Sequence, residues 1–373
     1  MFYMFFLFDF ISALIKCGVT IVRQKGRRTR NQGPTFSVND FFKLLRTGEL
    51  LKLTVNKMTK AGYSNTFLIE TINYITCFGF NQMEENILTR RAPAVAGMFY
   101  PDNARELRAL IDQSFHNQRF GPGRTFTSTP STNKQDKIYG IVSPHAGYIY
   151  SGAVAANGFY KISSAEFHDV IMAGPNHYGI GSWVAAMKEG TWETPLGNVQ
   201  VNSQMAEEIG GRSAALDFDD YAHSRDHCLE VQLPFLQYIK QDFKIVPVVL
   251  VSQKRDIALE LGNAISQTIM EMDTLDSTLL LASSDFTHYE PNSEAHRKDG
   301  ELIKAILALD VNRFYTILER LNISACGYGA IATMMVAAKN LGATRGELLK
   351  YATSGDVTGD ISAVVGYSSI VFI

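Results

Sequence analysis

Ile141-Val-Ser-Pro-His-Ala-Gly-Tyr148 and Ile171-Met-Ala-Gly-Pro-Asn-His-Tyr178 are the two stretches that decide how this chain folds. Each is an apolar run that stops at a proline and then presents a histidine. Continuous apolar runs of this kind read as strands buried on both faces, and proline cannot continue a central strand. His145 and His177 are therefore expected just beyond the carboxyl ends of parallel strands, where open α/β sheets build their sites. Two imidazoles brought together there are most simply read as metal ligands. The competing reading is two unrelated turn histidines, each satisfied by a backbone carbonyl.

Outward from these runs, strands and helices alternate. Strands are expected at Lys137–Ser143, Val170–Ala173, Ile245–Val251, Ser277–Ala282, Leu348–Thr353 and Ala363–Phe372. Trp183–Trp192 and Val199–Val201 flank the turn Thr194-Pro-Leu-Gly197 and read as an antiparallel hairpin. Helices are expected at Ser151–Ile162, Gln204–Ile209, His227–Ile239, Ile257–Met270, Glu294–Leu309, Val311–Leu321 and Gly329–Leu341. The pattern predicts an α/β fold, a mainly parallel or mixed sheet flanked by helices.

Three further segments carry chemistry-bearing residues. Ser283-Ser-Asp-Phe-Thr-His-Tyr289 follows the strand Ser277–Ala282, so Asp285 and His288 also fall at a strand end. Asp285 could ligate or orient a metal, and His288 could bind substrate or move protons; a capping Asp and a surface His compete with that reading. In Ser324-Ala-Cys-Gly-Tyr-Gly-Ala330, Cys326 precedes an apolar helix whose N-terminus favours thiolate. A buried structural cysteine is the alternative. In His223-Ser-Arg-Asp-His-Cys-Leu-Glu-Val-Gln-Leu-Pro234, His227 and Glu230 would share a helix face as an acid/base with its orienting carboxylate. Pro234 warns that this helix is irregular. No G-x-S-x-G, Walker A or H-E-x-x-H pattern is present, and no G-x-G-x-x-G in a strand–helix setting.

The 373 residues are 46% hydrophobic and 19% charged, a soluble globular composition with a net charge of −2 that gives no reason to expect nucleic acid. Residues 1–91 hold 13 Lys+Arg against 6 Asp+Glu, so +7, which leaves −9 for the rest. Residues 1–90 look foreign to the remainder of the chain: an appended or mis-called N-terminal extension, or a small helical interaction module, with Met83 a natural start for the domain. The apolar residues 1–15 are too short to span a bilayer and contain Asp9. They lack the marks of a signal peptide, although Arg23–Arg30 would back an interfacial anchor. No transmembrane segment is expected. Cys17, Cys77, Cys228 and Cys326 form no C-x-x-C pair, which fits a reducing, cytoplasmic setting.

Taken together, these segments resemble the Memo family, whose bacterial and archaeal members are often called protein B of the AmmeMemoRadiSam system. The resemblance runs from about Arg91 to Ile373. It begins at Pro93-Ala-Val-Ala-Gly-Met-Phe-Tyr-Pro101 and passes through each segment quoted above. Asn176 and Tyr178 depart from members with Ser and a second His there, and Ala330 from members with Pro. The resemblance implies a fold similar to class III extradiol dioxygenase catalytic subunits. It implies a metal site of His145, His177 and Cys326, with Asp285, His227 and His288 lining the cleft. It further implies one transition metal ion, Fe(II) first, with Cu or Zn as alternatives. The implied partners are radical SAM and AMMECR1-like proteins, with a small molecule or peptide in the cleft. Three functions are expected from it: a redox metalloenzyme, a non-catalytic metal-binding or peptide-binding adaptor, and a Zn-dependent hydrolase. Cysteine as third ligand favours soft metals, and the fold alone does not fix a dioxygenase reaction.

Overall fold

A computed structural model of the chain describes residues 90–124 and 137–373, together with the backbone of two short strands nearer the N-terminus. The chain divides into two units, Met1–Glu85 and Asn86–Ile373. In the first, Thr20–Ile21 pairs in parallel with Thr35–Phe36. The small helical module expected within residues 1–90, and the apolar residues 1–15, otherwise lie outside the described residues.

The second unit is built on a mixed, mostly parallel sheet. Its strand order is His288–Glu290, Val364–Phe372, Gly140–Ser143, Thr278–Ser283, Asp169–Pro175, Lys244–Leu250, Gly197–Val201, Thr191–Thr194, Arg90–Arg91. The four central strands, Gly140–Ser143 through Lys244–Leu250, run parallel. Val364–Phe372 closes one side antiparallel to Gly140–Ser143 and takes Gly346–Thr353 as a further antiparallel partner.

Alternation along the central strands divides the core into two layers. Val142, Ile171, Ala173, Val246, Val248, Leu280 and Ala282 face one layer, against helices that include Arg255–Glu271, Asn292–Leu307 and Tyr328–Asn340. Ile141, Val170, Met172, Ile245, Val249, Leu279 and Leu281 face the other, against Ala104–His116, Tyr148–Ile162 and Leu233–Ile239. A side chain of this size is worth about 1.5–3 kcal/mol when fully buried, so the central strands are held from both faces. All four then point their carboxyl ends the same way, which brings the segments after Ser143, Pro175, Leu250 and Ser283 to one rim.

Local differences from the sequence reading have physical causes. The hairpin is Thr191–Thr194 with Gly197–Val201; Val184–Ala186 is a separate strand that pairs antiparallel with Lys244–Leu250. The helix expected over His227–Ile239 begins only at Leu233, with Pro234 in its first turn. Glu230–Gln232 is a 3-10 turn, and His227 precedes it in a loop. Ala104–His116 is a helix that the strand-led reading passed over. Asn103 caps it through N–H groups of Arg105 and Glu106, and Leu107, Ile111, Ser114 and Phe115 bury one stripe.

Candidate metal centre

Each strand end delivers one side chain to the rim. Pro144 ends its strand, and the backbone N–H of His145 donates to Asp285 Oδ1 at 2.8 Å. Asp285 therefore ties the end of one parallel strand to the end of its neighbour. The imidazole of His145 is buried. Its Nδ1 lies 2.9 Å from Ser283 Oγ, and its Nε2 lies 3.0 Å from Cys326 Sγ. Cys326 is held by Asp285 as well: its backbone N–H donates to the Asp285 carbonyl at 3.2 Å, and its sulfur accepts from the Asp285 N–H at 3.2 Å.

His177 follows the second strand. Its N–H donates to Asp226 Oδ2 at 2.6 Å, and its Nδ1 lies 3.1 Å from Asp226 Oδ1. His227 stacks on His177 with ring centroids 4.6 Å apart and planes 14° from parallel, and also meets Phe99, with centroids 4.5 Å apart. His145 meets both rings edge-on, at 5.1 and 5.3 Å. Ligand nitrogens of His145, His177 and His227 all lie within 4.8 Å of one another. Two ligands bound at about 2.1 Å each sit at most about 4.2 Å apart, so small shifts let one ion reach all three. Imidazole nitrogens beside a thiol form a donor set suited to Fe, Cu or Zn and not to Mg or Ca.

The sequence that carries these segments matches a known family model. The model described as Memo-like protein covers residues 91–371. The chain belongs to the Memo family. A MEMO1 family protein of Nitrosopumilus maritimus is 49% identical over 284 residues, 76% of this chain and 99% of the relative. One from Methanopyrus kandleri is 46% identical over 285 residues, covering 76% of this chain and 98% of its own length. One from Methanothermobacter thermautotrophicus is 42% identical over 281 residues, covering 75% and 99%.

The cluster at this rim of the Memo domain is electrostatically uneven. Burial pushes the His145 imidazole well below its usual range, and the neighbouring His227 and His177 push the same way. Burial also lowers His227, to about 4, with His177 adding to it. Both rings are thus neutral near pH 7 and offer lone pairs. Burial raises the Cys326 thiol, and the Asp285 carboxylate adds to that. The thiol therefore keeps its proton, and its sulfur lies 3.0 Å from His145 Nε2 and 3.6 Å from the Asp285 carbonyl oxygen. Asp285 itself is raised to about 6, chiefly by burial.

His288 stands apart from this cluster. Its N–H donates to Ser324 Oγ at 2.8 Å and its Nδ1 to the Ser324 carbonyl at 2.9 Å, so it braces the loop before Cys326. It is close enough to act on Asp285 and His145 by charge alone. Glu230 does not orient His227. Its carboxylate accepts from Arg91, Ala94 N–H, Val95 N–H and the Tyr100 hydroxyl, and the helical spacing that would have joined it to His227 is absent. Cys228 is buried, its thiol donating to the Pro175 carbonyl at 3.1 Å, and its sulfur lies within 4.8 Å of ligand atoms of His177 and Asp226.

Asp226, Ser283, Gln232 and Gln253 were not singled out from sequence. Gln253 clamps the Cys326 loop, donating to the Cys326 carbonyl and accepting from Gly329 N–H, both at 2.7 Å. The only local hint for Asp226 was its place beside His227 in the motif.

Proposed function

We propose that this chain is a metal-binding Memo protein in which His145, His177 and Cys326 hold one transition metal ion, Fe(II) in the first instance. Asp285, His227 and His288 would serve the reactants. The observation that carries the reading is the convergence of three imidazole nitrogens within 4.8 Å, with a cysteine sulfur 3.0 Å from one of them, at the strand-end rim. An iron or copper ion there would supply Lewis acidity and one-electron chemistry. The chain's own residues would do the rest. Asp285, with a pKa of about 6, exchanges a proton near neutral pH while bridging His145 to the Cys326 loop. Neutral His227, held at about 4 by burial, would accept a hydrogen bond from a reactant and not keep its proton. Cys326 must lose its proton before it can ligate, so metal uptake should strengthen as pH rises.

In this reading the protein is a redox metalloprotein of the cytoplasm that works with radical SAM and AMMECR1-like proteins. Among the described residues no helix is long and apolar enough to cross a membrane. Residues 91–373 would be the functional unit, so a chain starting at Met83 should be soluble, unfold cooperatively and take up metal. Insolubility rescued only by residues 1–82 would overturn that boundary.

Anaerobic purification followed by metal analysis and spectroscopy tests the site. Ala at His145, His177 or Cys326 should each cut occupancy by roughly ten-fold or more. His227→Ala should retain the ion but change azide or nitric oxide binding. The position of His227 favours a second ligand set, His145, His177 and His227. Full metal retention in Cys326→Ala with loss in His227→Ala would establish that set instead.

A further inference from the structure

The hydroxyl of Ser283 lies where three polar contacts meet. It donates its one proton to the Cys228 carbonyl at 2.6 Å, since a carbonyl only accepts. Gln232 Nε2 donates to the same hydroxyl at 2.8 Å and to the Pro144 carbonyl at 3.0 Å. The second contact fixes which end of the amide is nitrogen, because the carbonyl again needs a donor. One lone pair remains on Ser283 Oγ, and His145 Nδ1 is 2.9 Å away. A hydroxyl has one proton to give, and this one is already placed. Nδ1 must therefore carry the hydrogen, which leaves the lone pair of His145 on Nε2, facing the Cys326 sulfur at 3.0 Å.

We propose that Ser283, backed by Gln232, is a positioning residue that holds His145 as its Nδ1–H tautomer and so makes Nε2 the ligating atom. All three side chains are buried, so water does not compete freely for these contacts. Gln232 also ties the Pro144 carbonyl, which fixes the chain where it leaves its strand. The two strand-end histidines are thereby oriented by different chemistry. His177 Nδ1 meets the Asp226 carboxylate, whereas His145 Nδ1 meets a neutral hydroxyl. A carboxylate raises the basicity of the opposite ring nitrogen more than a hydroxyl does. His145 should thus be the weaker donor of the two.

The consequence for metal affinity rests on the proposed metal site; the tautomer does not. The test uses the full chain, metal-free, with 15N-labelled histidine near neutral pH. Wild type should show His145 with a pyrrole-type Nδ1 and a pyridine-type Nε2. Ser283→Ala should give mixed tautomers and roughly ten-fold weaker Zn(II) binding in chelator competition. Ser283→Thr, which keeps the hydroxyl, should restore both. A protonated Nε2 on His145 in wild type overturns the proposal, as does a Ser283→Ala protein that keeps the pure Nδ1–H form. The wild-type spectrum decides the matter even where the alanine variant fails to fold. An intact tautomer in a protein that takes up no Zn(II) sinks the metal reading and leaves this one standing.

Discussion

Asp226 grips His177 at two points, taking its backbone N–H on Oδ2 at 2.6 Å and its ring Nδ1 on Oδ1 at 3.1 Å. A third bond, from Cys228 N–H at 2.9 Å, holds the carboxylate itself. Burial alone would raise the Asp226 carboxyl, but the His177 ring and these N–H donors hold it well below the usual carboxylate range. It is therefore ionised at any working pH, and its charge passes through the ring to the nitrogen that faces the cleft. Asp226→Asn keeps the size and removes the charge. Metal affinity measured by chelator competition should fall about 10–100-fold. An unchanged affinity would make the pair a structural brace only.

Arg91 and Glu230 form a buried ion pair at 2.7 Å that straps the segment carrying Asp226 and His227. The guanidinium also donates to the carbonyls of His223 at 2.8 Å and Asp226 at 2.6 Å, and covers the face of Trp192 at 4.1 Å. Arg91→Ala leaves a buried, uncompensated carboxylate and should cost about 3–5 kcal/mol in denaturant unfolding. Arg91→Lys should recover little, because an ammonium cannot reproduce the planar fork. A loss below about 1 kcal/mol for either variant would show the strap to be dispensable.

The strand-end placement of His145, His177 and Asp285 was legible because it rests on local pattern: an apolar run that ends, at a proline in the two histidine segments, just before the residue. The α/β fold was legible for the same reason, since alternation of strands and helices needs no knowledge of distant contacts. The site contacts that went unread are long-range pairings. Asp226 meets a histidine 49 positions away, and Glu230 is captured by an arginine 139 positions away. No periodicity encodes either contact. Assigning Glu230 to His227 presumed a regular helix, and the chain instead makes a loop and a 3-10 turn ahead of Pro234.

The metal-free protein should lose stability as pH falls from about 6.5 toward 3. His223 is fully buried, and both ring nitrogens lack a partner of good geometry, although the Ala185 backbone is near enough to favour its charge slightly. Burial first, and then the Arg91 charge, lower it from 6.5 to about 3. A base with a depressed folded pKa binds its proton more readily when unfolded. Its contribution is therefore complete above the unfolded value and is lost on acidification toward the folded one. The slope is at most about 1.4 kcal/mol per pH unit for each such group, and buried His145 and His227 add to it. His223→Leu should be near neutral at pH 7 and more stable than wild type at pH 5. Parallel stability curves for the two proteins would show that His223 titrates normally.

Gly327 ties the candidate metal site to packing. It lies next to Cys326, and a Cβ there would stand 2.4 Å from the Ser283 carbonyl oxygen and 2.8 Å from Ser284 Cβ. Its φ of −108° is open to any residue, so size and not backbone freedom excludes a side chain. The carbonyl belongs to a central strand and cannot retreat, so the Cys326 loop must. Gly327→Ala should cost about 1–3 kcal/mol and draw the sulfur away from His145. The Co(II)-loaded protein should then lose its thiolate charge-transfer absorption while imidazole-bound cobalt remains detectable. Gly211→Ala is the matched control: a Cβ there meets nothing within 4 Å, and the helix Ser203–Arg212 should gain up to about 1 kcal/mol. If Gly327→Ala behaves like Gly211→Ala, with stability and the sulfur signal both intact, then the Cys326 loop is not pinned against the Ser283 strand end and the sulfur reaches the cleft by some looser arrangement.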